Sequence, residues 1–313
     1  MDAMIIVQDV NTFEYSGRMA VTIGKFDGFH LGHDEIARRL SKYKDKGYDL
    51  GVVTFRESPL PILHGEKDYK VLTTNDEKKI IFEQMGFDYY IELPFDESIR
   101  CLEARDFAEE ILIGKLNMRA CVLGVDLRFG YRGAGDSSLL KEIGAEHGID
   151  VEVIDKVTYL GDVVSSTLIR KLIETGDVKK AACLLKVPYH IYGQVAHGRE
   201  IGRTISIPTV NLIPSADKLL PPFGVYVSET EYAGIKYKSV TDIGCKPTIS
   251  GDKPEVSVET YIIDFDRQIY GEYITVALLE RIRDEIKFDS IEALKTQMNR
   301  DIEYTEKYYV NQA

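Results

Sequence analysis

The sequence predicts a chain in two parts, an α/β domain with a parallel sheet followed by an all-β domain, and three observations carry that reading. Its 313 residues exceed the size of one ordinary compact domain. From about residue 19 to 185, short apolar runs alternate with amphipathic stretches, the order of a βαβ chain whose parallel sheet is covered by helices. After Pro188 the pattern changes to short β-branched and aromatic runs punctuated by Gly, Pro or Asp, as in antiparallel sandwiches and barrels. The stretch LLKVPYH, Leu184 to His190, reads as the linker and gives domains of 1–185 and 186–313.

In the first half, MAVTIGKF, LGVVTF, YYIEL and RACVLGV are apolar enough throughout to be strands buried on both faces. Helical patterns run over His30 to Lys46, Asn75 to Met85 and Ala104 to Asn117. Thr74, with Glu77 three positions on, forms a capping box at the start of the second helix. In the second half HIYGQVAHG, GVYVSETEY, IKYKSVTDIG, EVSVETYIIDF and EYITVALLE are the strands. From Ser290 to Tyr309, Ile291, Leu294, Met298 and Ile302 recur at helical spacing, so a closing helix is expected to lay its apolar face over an open side of the sheet.

Bulk properties narrow the function. With 44% hydrophobic and 29% charged residues the chain has the composition of an ordinary globular protein. A formal net charge of −12 opposes any main role in coating nucleic acid or anionic lipid, so phosphates must be held by local donors. Cys101, Cys121, Cys183 and Cys245 include no CxxC pair, which fits thiols in a reducing compartment rather than a zinc site. The amino terminus has no basic n-region and no run reaches the roughly 18 apolar residues of a membrane span, so a cytoplasmic protein without membrane or nucleic-acid partners is expected. Oligomeric state is not legible.

Parallel sheets bind ligands beyond the carboxyl ends of their strands, and GKFDGFHLGH, Gly24 to His33, stands there. With a strand ending near Lys25 and a helix starting near His30, His30 and His33 share one face of the first turn, beside unpaired backbone N–H groups that suit anionic oxygen. Gly28 and Gly32 allow a polyphosphate to approach the backbone. An isolated HxxH pair is more often a glycine turn with two surface histidines, and a metal would need a third ligand. Ser165, Ser166 and Thr167 precede a helix expected to begin near Leu168. Alone they read as an N-cap cluster, with Arg170 in the first turn available as an anion clamp. Asp126 either ends a strand or contacts a ligand.

In the second half, the spacing of Pro208-Thr209-Val210-Asn211 puts Thr209 and Asn211 on one face of an extended chain. A hydroxyl and an amide oxygen side by side suit a hard cation such as Mg²⁺, although PTVN alone is more often a turn cluster. The glycines of GQVAHGREIGR, Gly193, Gly198 and Gly202, form either a phosphate flap or a hairpin turn, and Arg203 either adds charge or is solvated. In EVSVETYIID, Val256, Val258 and Thr260 alternate with Ser257, Glu259 and Tyr261, so one face is aliphatic and the other carries the carboxylate. An exposed strand glutamate usually serves only solubility.

The whole string GxFDGxHxGH resembles the nucleotidyltransferase signature of bacterial FAD synthetases, the bifunctional riboflavin kinase/FMN adenylyltransferase family. VLGVDLRFGYRGAGD (Val122 to Asp136) is similar to that family's flavin-side loop and VVSSTLIRKLIETGDV (Val163 to Val178) to its SSTxIR helix start. GRTISIPTVNL (Gly202 to Leu212) is similar to the kinase PTxN region, and VSVETYIIDFD (Val256 to Asp266) to the strand with its catalytic glutamate. These segments follow family order along nearly the whole chain.

The resemblance implies a Rossmann-like nucleotidyltransferase domain and an antiparallel, Greek-key-like β-barrel with a closing helix. The first would transfer AMP from ATP to the phosphate of FMN, releasing pyrophosphate. The second would phosphorylate riboflavin, both with Mg²⁺-ATP. It further implies His30 and His33 at the α- and β-phosphates, Arg170 as clamp, and Gly24, Asp27, Gly28, Gly32, Asp126, Ser165, Ser166 and Thr167 in binding. On the kinase side it implies Thr209 and Asn211 as the Mg²⁺-ATP contact, with Gly198, Gly202 and Arg203 in the flap. Glu259 becomes the general base on the riboflavin 5′-hydroxyl, and Arg281 and Arg283 form a flavin-side basic segment.

Four positions depart from the family pattern: Lys25 replaces a small polar or aromatic residue, Ser58 a His, Leu127 a Phe, and Asp242 an Asn. Ser58 bears on ATP handling and Leu127 on the isoalloxazine contact. Two other readings share the fold. One is a single-activity adenylyltransferase with the β-domain as scaffold, opposed by intact Thr209, Asn211 and Glu259. The other is a non-catalytic flavin-responsive binding protein, opposed by reactive groups at both sites.

Overall fold

The computed structural model describes residues 3–57, 69–197, 207–246 and 255–312. Contacts divide the chain into two compact units, Met1–Ser166 and Thr167–Ala313. This division falls ahead of the 185/186 boundary read from the sequence, and residues 167–185 group with the second unit.

The first unit holds β1 (Ile5–Val7), β2 (Met19–Ile23), β3 (Asp49–Phe55), β4 (Tyr89–Leu93), β5 (Met118–Gly124), a short hairpin of β6 (Arg128–Phe129) and β7 (Gly135–Asp136), and β8 (Asp150–Ile154). A small second hairpin, β9 (Thr158–Tyr159) and β10 (Asp162–Val163), leads toward Ser165 and Ser166. The main sheet has the order β1-β4-β3-β2-β5-β8, and all its pairings are parallel. Every residue of β2 is buried, as a strand covered on both faces requires. Met19, Val21 and Ile23 face one helical layer, while Ala20 faces the layer holding Ile36 and Leu40 of α1 (Leu31–Ser41) and Ile81 and Phe82 of α2 (Asn75–Gln84).

The predicted strands and the Thr74–Glu77 capping box are all present. The first helix is shorter than expected, because Lys44–Lys46 forms a separate 3₁₀ turn. The stretch 104–117 is one α-turn, Ala104–Asp106, running into a π-helical segment, Phe107–Lys115. Two strands of the main sheet escaped the sequence reading because they are edges: Ile5 and Ile6 are exposed, and β8 is half-buried or exposed along its length. Helix α3 (Ser137–His147) also escaped it, although Asp136 caps its start and Gly148 ends it with φ of 67°.

The second unit begins with α4 (Ser166–Glu174), whose first residue still belongs to the first unit, and α5 (Val178–Leu184), capped by Asp177. Six strands follow: β11 (His190–Ala196), β12 (Val210–Pro214), β13 (Gly224–Tyr232), β14 (Ile235–Lys246), β15 (Glu255–Ile262) and β16 (Tyr273–Arg283). They form a closed antiparallel barrel in the order β11-β12-β15-β14-β13-β16. Helix α5 packs on β16.

Inside the barrel, aliphatic Ile243, Val258, Val276 and Leu278 surround a ladder of buried hydroxyls. Ser228 bonds Ser239 at 2.8 Å and Thr241 at 2.7 Å, and Thr241 bonds Thr260 at 2.9 Å. Each hydroxyl is partnered, so burial carries no unpaired polar penalty. Because the barrel closes on itself, the last helix, α6 (Ile291–Gln312), has no open sheet side to cover. It packs on β13 and β14, and its buried residues are Asp301 and Thr305, while Ile291 is exposed. An ion pair of Asp301 with Arg283, at 2.7 Å, anchors it.

Candidate active sites

At the carboxyl end of β2 the chain makes a compact loop. Gly24 donates to the Val53 carbonyl at 3.1 Å, and Phe26 and Gly28 take left-handed backbones with φ of 49° and 67°. A Cβ on Gly28 would lie 2.8 Å from Leu72 Cδ1, so glycine is required there on two grounds. The Asp27 carboxylate accepts from the Leu72 and Thr73 amides at 2.6 and 3.1 Å, and Thr73 Oγ1 accepts from the Gly28 amide at 3.0 Å. This clasp ties the loop to the segment that starts α2. Asp27, expected to bind ligand, thus holds the loop in shape.

His30 is the N-cap of α1. Its Nδ1 accepts from the Gly32 and His33 amides at 3.1 and 3.3 Å. Two of the N–H groups expected to face a phosphate are therefore taken by an imidazole. With Nδ1 as acceptor, the neutral ring carries its proton on Nε2. Gly32 makes room for this, since a Cβ there would stand 3.1 Å from the ring.

The His30 and His33 rings stack with centroids 3.7 Å apart and planes at 15°. Phe26 meets His33 edge-on at 5.0 Å. Burial is the main cause that pushes His30 down to about 4, opposed by the charge of Asp126. Burial, then the neighbouring His30, holds His33 well below the ordinary histidine range, and Lys78 adds to the effect. Both imidazoles are neutral at pH 7. His33 Nδ1 is buried with no hydrogen-bond partner among the described residues.

The other residues predicted for the adenylyl-transfer chemistry fall as follows, Thr167 and Arg170 among them lying in the second unit. Asp126, just past β5, is exposed, lies 3.8 Å from Lys156, and is near enough to act on His30. The Ser166 hydroxyl donates to the Asp27 carbonyl, which ties the SST start to the loop. Ser165 precedes α4, which begins at Ser166 rather than Leu168; Thr167 is exposed and Arg170 half-buried within it. Lys25 is exposed, and Leu127 packs partly buried against the core. Ser58 lies outside the described residues. Sequence reasoning missed Thr73, whose signal was the Thr73-Thr74 doublet ahead of the capping box.

In the barrel, Asn211 stands directly opposite Glu259, and Glu259 directly opposite Asp242. Thr209 and Asn211 are both half-buried. Val258 and Thr260 are fully buried while Glu259 is half-buried, so the predicted alternation holds and the carboxylate lies on the outer face. Beside Thr209 opens a cavity of about 340 Å³, lined by Val195, Pro208, Ile262, Phe265 and Tyr270 among others. His197 stacks on Tyr270 with ring centroids 3.8 Å apart.

Arg283 is committed to Asp301 through Nε and a terminal nitrogen at 2.7–3.2 Å, which makes it a brace for α6. Arg281 donates to the Phe223 carbonyl at 2.8 Å and pairs with Asp284 at 2.6 Å. Gly193 lies in β11, and a Cβ there would come within 2.2 Å of the Ile213 carbonyl oxygen, so it serves strand packing. Gly198, Gly202 and Arg203 lie outside the described residues.

Comparison with known proteins bears on both units. Residues 13–168 match the FAD synthetase family and residues 185–309 the riboflavin kinase family. A protein of Buchnera aphidicola subsp. Acyrthosiphon pisum is 35% identical over 302 residues, covering 96% of each chain. Relatives in Bacillus subtilis and Escherichia coli K12 are each 34% identical, over 95% and 90% of both chains. All three are called bifunctional riboflavin kinase/FMN adenylyltransferase.

A solved structure described as a macrolide-efflux protein from Streptococcus pneumoniae superimposes with a TM-score of 0.84 at 31% identity, over 97% of this chain and 99% of that one. Among the described residues no helix is long and apolar enough to cross a membrane. With two matching catalytic domains in the expected order and relatives aligned over nearly its whole length, the chain belongs to the bifunctional riboflavin kinase/FMN adenylyltransferase family, enzymes that convert riboflavin to FMN and FMN to FAD.

Proposed function

We propose that the two reactions are carried by separate constellations, His30 with His33 in the first unit and Thr209, Asn211 and Glu259 in the second. The supporting observation is that each constellation is assembled within one unit: the imidazoles stack at 3.7 Å, and Asn211 and Glu259 are cross-strand neighbours. We place the functional boundary at 185/186, where the riboflavin kinase match begins.

In adenylyl transfer an oxygen of the FMN phosphate bonds the α-phosphorus of ATP, the bond to the β-phosphate oxygen breaks, and pyrophosphate leaves with the electron pair. The nucleophile is already an anion and needs no base. What it needs is alignment and donors to the phosphoryl oxygens. His30 supplies one: with Nδ1 fixed by two backbone amides, its Nε2–H has a set direction. His33 acts beside it, and Ser165, Ser166, Thr167 and Arg170 belong to the same motif set.

In riboflavin phosphorylation the nucleophile is a neutral alcohol. Glu259 takes the 5′-hydroxyl proton as that oxygen bonds the γ-phosphorus, the bond to the β-phosphate oxygen breaks, and ADP leaves. Thr209 and Asn211 offer hard oxygen donors beside a carboxylate, a set that fits Mg²⁺. Magnesium bound with ATP would neutralise phosphate charge there. The cavity beside Thr209 is apolar enough on Val195 and Ile262 to take a nucleotide base. We place the protein in the cytoplasm, since no two of its cysteines are joined in a disulfide.

The test is to incubate the chain with riboflavin, ATP and Mg²⁺ and separate the flavins chromatographically. FMN followed by FAD is expected. FAD formed only from supplied FMN would select the single-activity reading, and no turnover the binding-protein reading.

A further inference from the structure

Acidic residues outnumber basic ones by 51 to 39. Even so, Arg128 and Arg132, both exposed, have no ion-pair partner among the described residues. They stand at the ligand end of the parallel sheet. β5 lies beside β2 and ends at Gly124, and the chain then passes Asp126, near enough to act on His30, into the hairpin of β6 and β7 that carries both arginines. The nearby carboxylates are engaged elsewhere. Asp126 lies 3.8 Å from Lys156, and Asp136, paired with Arg128 across the hairpin, caps α3 through the Ser138 and Leu139 amides at 2.9 and 3.0 Å. Arg128 donates to the Leu127 carbonyl at 3.0 Å, and the Arg132 guanidinium lies over the Tyr131 ring, 5.1 Å from its centroid.

The hairpin is clamped and its tip is strained. The Tyr131 amide donates to the Leu102 carbonyl at 2.7 Å, and a Cβ on Gly130 or Gly135 would come within 2.4 or 2.8 Å of Ala104. Gly130 and Gly133 have φ of 71° and 66°, and between them Arg132 takes φ of 53° and ψ of 21°, a left-handed backbone that glycine adopts readily. An arginine where glycine would fold more easily points to a use for its side chain. A Cβ on Gly133 would stand 3.5 Å from Arg128 Cβ, so the two arginines branch from one turn.

We propose that Arg132, with Arg128 beside it, is an anion-binding arm of the adenylyl-transfer site and takes phosphate oxygens of an incoming substrate, an inference that rests on the reading of the His30 loop as that site. Both substrates of the reaction, ATP and FMN, carry such oxygens, and the chain's net charge of −12 opposes the approach of either. A guanidinium presents paired N–H donors matched to phosphate, and the stack on Tyr131 and the clamped turn hold it ready. Made before and during transfer alike, the contact contributes to binding and not to the chemical step, so its loss raises KM and leaves kcat.

The experiment measures KM and kcat of FMN adenylylation on the full chain, varying ATP at saturating FMN and FMN at saturating ATP, with riboflavin phosphorylation and Tm alongside. Arg132→Gly should melt no lower than wild type, because the strain goes with the side chain. Its KM should rise about tenfold or more, as for one charge-assisted hydrogen bond, with kcat changed by under about twofold and riboflavin phosphorylation as in wild type. The substrate whose KM rises identifies the phosphate held. Arg132→Lys keeps the charge without the fork and should recover part of the loss. Added salt should raise the wild-type KM more than that of Arg132→Gly. Unchanged KM for both substrates overturns the proposal, whatever kcat does. So does a lower Tm with both activities reduced together, which makes Arg132 a structural residue. His30→Asn separates the two readings: full adenylylation there removes the site reading and this proposal with it, whereas an inactive His30→Asn beside wild-type KM values in Arg132→Gly removes only the arm.

Discussion

His30 combines a helix cap with a proposed donor to the phosphoryl oxygens, and one pair of substitutions separates the two. His30→Ala removes both. Losing an N-cap costs about 0.5–2 kcal/mol, which in a unit of this size lowers Tm by about 1–8 °C. His30→Asn keeps the cap, because an amide oxygen accepts from the same Gly32 and His33 amides, and removes only the imidazole. FMN adenylylation should fall about 10²-fold or more in both variants, while riboflavin phosphorylation persists in both.

Acid separates the variants further. His30 is displaced from 6.5 to about 4 by burial, so between those values the unfolded chain binds a proton that the folded chain refuses. Stability therefore rises with pH from about 4 to 6.5, and the wild type loses at most about 3 kcal/mol on acidification through that window. His30→Asn should lose less than wild type on going from pH 7 to pH 4.5, by thermal unfolding followed through the first unit. Full adenylylation in His30→Asn would refute the chemical role. A stability loss in His30→Asn equal to that of His30→Ala would refute the cap.

Further outcomes follow from the same geometry. His33→Ala should cut FMN adenylylation by about 10²-fold or more and spare riboflavin phosphorylation, measured on the full chain. Glu259→Gln should cut FMN formation about 10²- to 10⁴-fold while FAD formation from supplied FMN continues. Gly28→Ala, which combines a left-handed φ of 67° with a 2.8 Å approach to Leu72, should cost about 1–3 kcal/mol and lower adenylylation, a loss that unchanged Tm and rate would deny. Asp242 is raised from 3.8 to about 6, so its contribution to stability is present below 3.8 and lost as pH rises through 6. Asp242→Asn should then melt with the wild type near pH 4 and a few degrees above it at pH 7.5, a gap of at most about 3 kcal/mol.

How much was legible depended on whether a residue's role leaves a local pattern. β2 through β5 were legible because strands buried on both faces write continuous apolar runs, and the barrel strands because β-branched residues alternate between punctuating turns. Edge strands β1 and β8 were not, since half their surface meets solvent. Glu259 and Asn211 could be placed on their strand faces from spacing alone. That they stand side by side, with Asp242 next in the row, is a matter of register between strands far apart in sequence. The first loop shows the same limit. The spacing of His30 and His33 predicted a shared helical face, but the ring of His30 turning back to cap its own helix could not be read, and neither could the clasp of Asp27 on Leu72 and Thr73.

The two sites treat charge in opposite ways, and the nucleophiles explain why. In the first, burial strips protons from two stacked imidazoles, leaving neutral groups that can donate to a developing charge. Adenylyl transfer begins with a phosphate anion, and a fixed cation in contact with that oxygen would stabilise the ground state along with the transition state. In the second, burial first and then neighbouring carboxylates push Asp242 up to about 6, directly across the strands from Glu259. Phosphorylation begins with an alcohol, whose proton must go somewhere as the new bond forms, and Glu259 is the carboxylate proposed to take it. On this account, substituting a cation for Asp242 should be worse for phosphorylation than substituting a neutral residue, even though Asp242→Lys would relieve the repulsion that now raises the Asp242 carboxyl. Its ammonium, directly across the strands from Glu259, would pair with the proposed base and hold it back from the 5′-hydroxyl, so riboflavin phosphorylation should fall while adenylylation of supplied FMN continues.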